Sequence, residues 1–140
     1  MNTPDIQNYV HNGRALVGIQ GSEGQDVMSW PQVACEAVRA INHLTGHGTP
    51  IPAPTLYTVL GELKQVGHLL PQGLRQLMQG LAVSLDTHDV YDHHGSPEDS
   101  VAAAVAALER AAALSARLGA TLETAQSAIA EQGYTSAGRR

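Results

Sequence analysis

The chain has 140 residues, a net charge of −5 and only 15 % charged side chains. That length fits one domain with a real core. The acidic, cation-poor balance argues against nucleic acid and anionic membrane as partners, because both are held by clustered Lys and Arg.

Hydrophobic residues make up 43 % of the chain, with no Phe and one Trp. A stock of Ala, Leu and Val suits closely packed helices better than a β-sandwich. Cys35 is the sole cysteine. No internal disulfide can form, so the expected location is a reducing one, the cytoplasm. Residues 1–7 carry no basic-then-apolar leader pattern. Charges interrupt every apolar run, so no membrane span is expected.

Residues 1–28 are polar and punctuated by Gly13, Gly18, Gly21 and Gly24. They read as a flexible arm with at most one short strand. The glycine spacing neither follows a firm strand nor opens a helix, so it is no dinucleotide loop. A helical domain is expected over 29–134, with a disordered tail over 135–140.

Ser29-Trp30-Pro31-Gln32 carries the spacing of a capping box, with Pro31 in the first turn. Ala34, Ala37, Val38, Ile41 and Leu44 then share one stripe, and Gly46 supplies a stop. Trp30 should staple this helix to the core. Cys35 lies on or near the stripe beside Glu36, which predicts a buried structural thiol.

Pro50, Pro52 and Pro54 force an extended connection. Helical periodicity follows from Thr55 to Leu70, is interrupted at Pro71, and resumes through Leu74, Leu77, Met78, Leu81 and Leu85. The segment reads as one kinked helix or two short ones sharing a face.

Asp86 to Gly95 is a polar turn. Ser96-Pro97-Glu98-Asp99 is a strong helix start: a cap, a proline at the first position, and two acids against the helix dipole. The last helix should run from Pro97 to about Gln132, about 50 Å. Its seam is Val101, Val105, Leu108, Ala111, Leu114, Leu118, Leu122, Ala125 and Ile129, at a mean step near 3.5 residues.

His88, Asp89, Asp92, His93 and His94 are the only cluster of ligand-type residues. His88, Asp92 and His93 are the candidates for a zinc or nickel site, set against the plainer reading of a solvated helix–helix turn. The sequence contains no G-x-S-x-G, H-E-x-x-H or P-loop pattern. No catalytic residue, cofactor or small-molecule ligand is therefore expected.

Pro54-Thr55-Leu56-Tyr57-Thr58-Val59-Leu60-Gly61-Glu62-Leu63 resembles the recognition helix of PadR-type winged-helix repressors. The resemblance implies a DNA-binding regulator with its helix-turn-helix at 31–64. Two features depart from it. No β-wing pattern follows, and Lys64 is the only cation of the presumptive recognition helix. The helical pair around the 86–94 turn is similar to WXG-type hairpins but lacks Trp-x-Gly in the turn. The segments 55–85 and 96–133 resemble, in composition, small proteins of actinobacterial plasmids and phages, which implies an accessory role on such an element.

The expected fold is all-α: three to four helices, the long C-terminal helix packed antiparallel on a Pro-kinked middle helix. The expected function is a non-enzymatic interaction or assembly module. Its partner is itself or another helical protein, held at Val101, Val105, Leu108, Leu114, Leu118, Leu122 and Ile129. The reason is length: a 50 Å helix outreaches a partner broken at Pro71 and leaves apolar seam uncovered. A DNA-binding regulator and a metal-binding protein using the 86–94 turn are the alternatives.

Overall fold

The computed structural model describes residues 29–136. The N-terminal arm expected over 1–28 and the last four residues of the expected tail lie outside them. The described residues form three helices and no strand: α1 (Trp30–Leu44), α2 (Ala53–Thr87) and α3 (Pro97–Ala128). The chain divides into two compact units between Pro50 and Ile51, with α1 in the first and the α2–α3 pair in the second.

The capping box of α1 forms as its residues predict. The Ser29 backbone N–H donates to Gln32 Oε1 at 2.9 Å, and the Gln32 N–H donates to Ser29 Oγ at 3.4 Å. No residue of α1 is buried. Cys35 is exposed, which corrects the expectation of a buried thiol. The Ala34–Val38 stripe beside it is exposed as well.

Pro71 does not end α2. One helix of 35 residues runs through it. A proline has no N–H, so the carbonyl four residues earlier loses its helical donor. That carbonyl belongs to Gly67, and Ser115 Oγ of α3 donates to it at 3.0 Å from a buried position. The neighbouring helix thus supplies the missing hydrogen bond.

The two helices run antiparallel. Gly67 meets Ser115 and Gly119, Tyr57 O accepts from Gln126 Nε2 at 2.9 Å, and Arg75 pairs with Glu109. The backbones approach closely at Gly67. A Cβ placed there would lie 2.5 Å from Gly119 N and 2.6 Å from Gly119 Cα. One on Gly119 would lie 3.1 Å from the backbone N of His68. Both positions need glycine for want of space.

The buried seam of α3 is Val101, Ala112, Ser115, Gly119 and Gln126, packed on Ala53, Leu60, Gly67 and Pro71 of α2. Leu114 and Leu118 lie outside this seam, 62 % and 53 % exposed. The length argument is corrected. With 35 residues in α2 and 32 in α3, neither helix outreaches the other. The last helix also ends at Ala128, earlier than Gln132, in a turn through Ile129 and Ala130.

Ser115→Ala should cost about 1–3 kcal/mol by stranding the Gly67 carbonyl. In a Pro71→Ala background, where residue 71 regains its N–H, the same change should cost less than about 1 kcal/mol. A double-mutant cycle by urea unfolding measures both. An equal cost in the two backgrounds would refute the pairing of Ser115 with the proline defect.

Candidate functional site

Two helices side by side share one seam and leave two flanks. At 100° per residue, Lys64, His68 and Arg75 of α2 lie on one flank, and Glu109 and Glu123 of α3 lie on the same side. The structure pairs them: Lys64 Nζ–Glu123 Oε1 at 3.2 Å, His68 Nε2–Glu123 Oε2 at 3.8 Å, and Arg75 Nη2–Glu109 Oε1 at 3.7 Å. These are solvent-facing pairs worth about 0–1 kcal/mol each. Their value here is to mark which flank is polar.

The opposite flank carries no charge along its centre, with Glu62 of α2 and Arg110 and Arg117 of α3 at its border. On α2 it is the stripe Leu56, Val59, Leu63, Val66, Leu70 and Leu77, interrupted by Gly73 and Gly80. On α3 it is Ala104, Ala107, Ala111, Leu114, Leu118 and Ala125. Each stripe repeats by threes and fours, the spacing of a second helix-packing seam rotated about 80° from the first. Antiparallel direction turns both stripes to the same side. Val66 is 56 % and Leu70 47 % exposed there.

The sequence-predicted interface residues divide between the two seams. Val101 is buried against α2, and Val105, Leu108, Leu122 and Ile129 are half-buried. Leu114 and Leu118 stand on the open face. The sequence pattern had merged two seams into one. The expected interface named no residue of α2. Gly73 and Gly80 lie seven residues apart on that helix, and a Cβ on either would meet nothing within 4 Å.

The His/Asp turn is occupied with its own geometry. His88 follows the last turn of α2 as its C-cap, with Nδ1 2.9 Å from Thr87 Oγ1. Asp92 Oδ1 accepts from the His94 N–H at 2.9 Å, and His93 stacks edge-on against Tyr91 with centroids 5.1 Å apart. Among the described residues, no three His, Cys, Asp or Glu side chains converge to hold a metal ion.

The stretch that resembles a recognition helix forms the opening turns of α2, which continues unbroken to Thr87. Its cation, Lys64, is paired with Glu123. Among the described residues, no helix is long and apolar enough to cross a membrane. No protein-family model, curated protein or solved structure matches the chain.

Two carboxyls at the start of α3 sit below their ordinary values. Asp92 is lowered by the His94 N–H and then by Ser100; Glu98 by its own backbone N–H and then by Ser96. A depressed carboxyl stabilises the fold above its unfolded value and loses that contribution as pH falls through the lowered one. The start of α3 should therefore hold its stability down to the ordinary carboxylate range and weaken below it. Carboxyl-carbon NMR titration should find both groups low, with Ser96→Ala moving Glu98 upward and Ser100→Ala moving Asp92 upward. Titration at ordinary values in the unaltered protein would contradict the capping geometry.

Proposed function

We propose that this chain is a non-enzymatic helical assembly module that associates with itself through the apolar flank of the α2–α3 hairpin, in the cytoplasm. One observation carries the reading: an apolar stripe on each helix, at seam spacing, both on one side, with Val66, Leu70 and Leu77 of α2 and Leu114 and Leu118 of α3 exposed. A helix stripe of that kind needs a facing element to bury it. The hairpin's own seam buries only Ala53, Leu60, Val101 and Ala112 among its hydrophobic residues. Contiguous apolar surface rimmed by polar residues is how partner sites present themselves on soluble proteins. The lone Cys35, unable to form an internal disulfide, fits a reducing compartment.

The test is sedimentation velocity across a wide concentration range. The unaltered chain should self-associate. Leu70→Lys and Leu118→Lys, which bury a charge in the face, should weaken association at least about tenfold while keeping the helical circular-dichroism signal. Gln76→Lys, on the outer side of α2, should leave it unchanged. A monomer at every concentration would end the proposal.

A further inference from the structure

We propose that two copies of this chain exchange their first helices, so that α1 of each lies along the open flank of the other's α2–α3 hairpin. This rests on the self-association proposed above and names the element of the second copy that covers the flank.

The sequence of α1 makes it two-sided. At 100° per residue, Val33, Ala34, Ala37, Val38, Ile41 and Leu44 share one arc, and Gln32, Glu36, Arg39 and His43 lie on the opposite one. An apolar arc of that width is the face a helix turns toward a core. Yet no residue of α1 is buried, and Val38 and Leu44 are 55 % and 73 % exposed. The hairpin has the matching deficit on its flank, where Val66, Leu70, Leu77, Leu114 and Leu118 are exposed. Each copy thus presents one open helix face and one open flank. Reciprocal exchange covers all four surfaces of a pair in a closed, two-fold arrangement. Hairpin against hairpin would cover the two flanks and leave both α1 faces bare.

Length selects α1 over a second hairpin. Gly67 meets Ser115 and Arg75 meets Glu109, so Leu114 and Leu118 fall within the level of Val66 to Leu77. At 1.5 Å per residue the exposed aliphatic patch is therefore about 17 Å long, on a hairpin of about 48 Å. Nearer the start of α2, Leu56, Val59 and Leu63 are half-buried; toward the turn the flank offers Gly80, Ala104 and Ala107. The α1 stripe from Val33 to Leu44 is also about 17 Å long. The whole of α1 is about 22 Å long and about 10 Å across, so half its surface is about 350 Å². Two reciprocal contacts, with both sides counted, bury about 1,400 Å², within the range of specific interfaces.

Charge sets the direction. Arg110 and Arg117 border the flank on its α3 side, within the span of the patch. Glu36 stands at one edge of the α1 arc and is paired in the single chain with Arg39 of its own helix, both exposed. A right-handed helix laid on the flank parallel to α2 turns its Glu36 edge toward α3 and its arginines. With the two stripes level, Val38 then comes beside Leu70, Ile41 beside the open side of Gly73, and Leu44 beside Ala107. Laid the other way, Glu36 would face the α2 side, where Glu62 borders the flank with the like sign.

The experiment uses the full chain with Cys35→Ser. Chains carrying Val38→Cys and chains carrying Leu70→Cys, mixed and oxidised, should give mainly 38–70 dimers. Leu70→Cys alone should give little covalent product. One chain carrying both cysteines should also crosslink as a dimer. Ala37→Lys, at the centre of the α1 arc, should weaken association at least about tenfold in sedimentation velocity with helix content kept. Glu36→Arg should weaken it about threefold, and adding Arg117→Glu should restore it. Leu70–Leu70 crosslinks, or an Ala37→Lys protein that associates normally, would overturn the exchange and leave self-association standing. A doubly substituted chain that crosslinks within itself as a monomer would also overturn the exchange, by giving the flank to its own α1. A monomer under all conditions would remove both proposals.

Discussion

A single hydrogen bond, from the Ser115 hydroxyl to the Gly67 carbonyl, makes the architecture of the hairpin possible. Proline inside a helix strands one acceptor, and a buried stranded acceptor costs about 1–3 kcal/mol. Here the acceptor faces the neighbouring helix, which carries a small donor at the right level. The bond also demands close approach. A serine hydroxyl is short, so the backbones must nearly touch, and Gly67 and Gly119 are the residues that let them. Proline, serine and the two glycines form one device. With it, α2 continues past residue 71 and matches α3 in length.

That device explains where sequence reading succeeded and where it did not. Helix starts were legible because they are local. Ser29 with Gln32, and Ser96 with Pro97, carry their capping chemistry within a few residues. The all-helical class followed from composition and periodicity. The continuity of α2 was not legible, because the group that repairs Pro71 lies 44 residues further along the chain. The inner seam was hidden for a related reason. Ser115 and Gln126 are polar, Gly119 and Ala112 are small, and a search for apolar periodicity passes over them to Leu114 and Leu118. Those leucines do lie on a seam, the outer one. Cys35 is exposed together with the stripe beside it, since no residue of α1 is buried among the described residues.

The hairpin sorts its chemistry by flank. Basic residues of α2 and acidic residues of α3 meet on one side, and the other side is apolar along its centre. The inner seam itself is held more by fit and backbone hydrogen bonds than by bulk, since no large side chain there is fully buried. Val66, Leu70, Leu77, Leu114 and Leu118 stand exposed on the outer face.

Alanine-rich helices have a weakness that the glycine contact removes. Their surfaces are nearly uniform, so two of them can slide past one another by whole heptads with little change in packing. In this chain such a slide would bring Leu108 or Leu122 toward Gly67, where there is no room for even one carbon. It would also carry Ser115 away from the one carbonyl that lacks a donor. The pair of helices therefore has one alignment it can adopt, set at a single point near mid-length, and every position along the outer face inherits its level from that point.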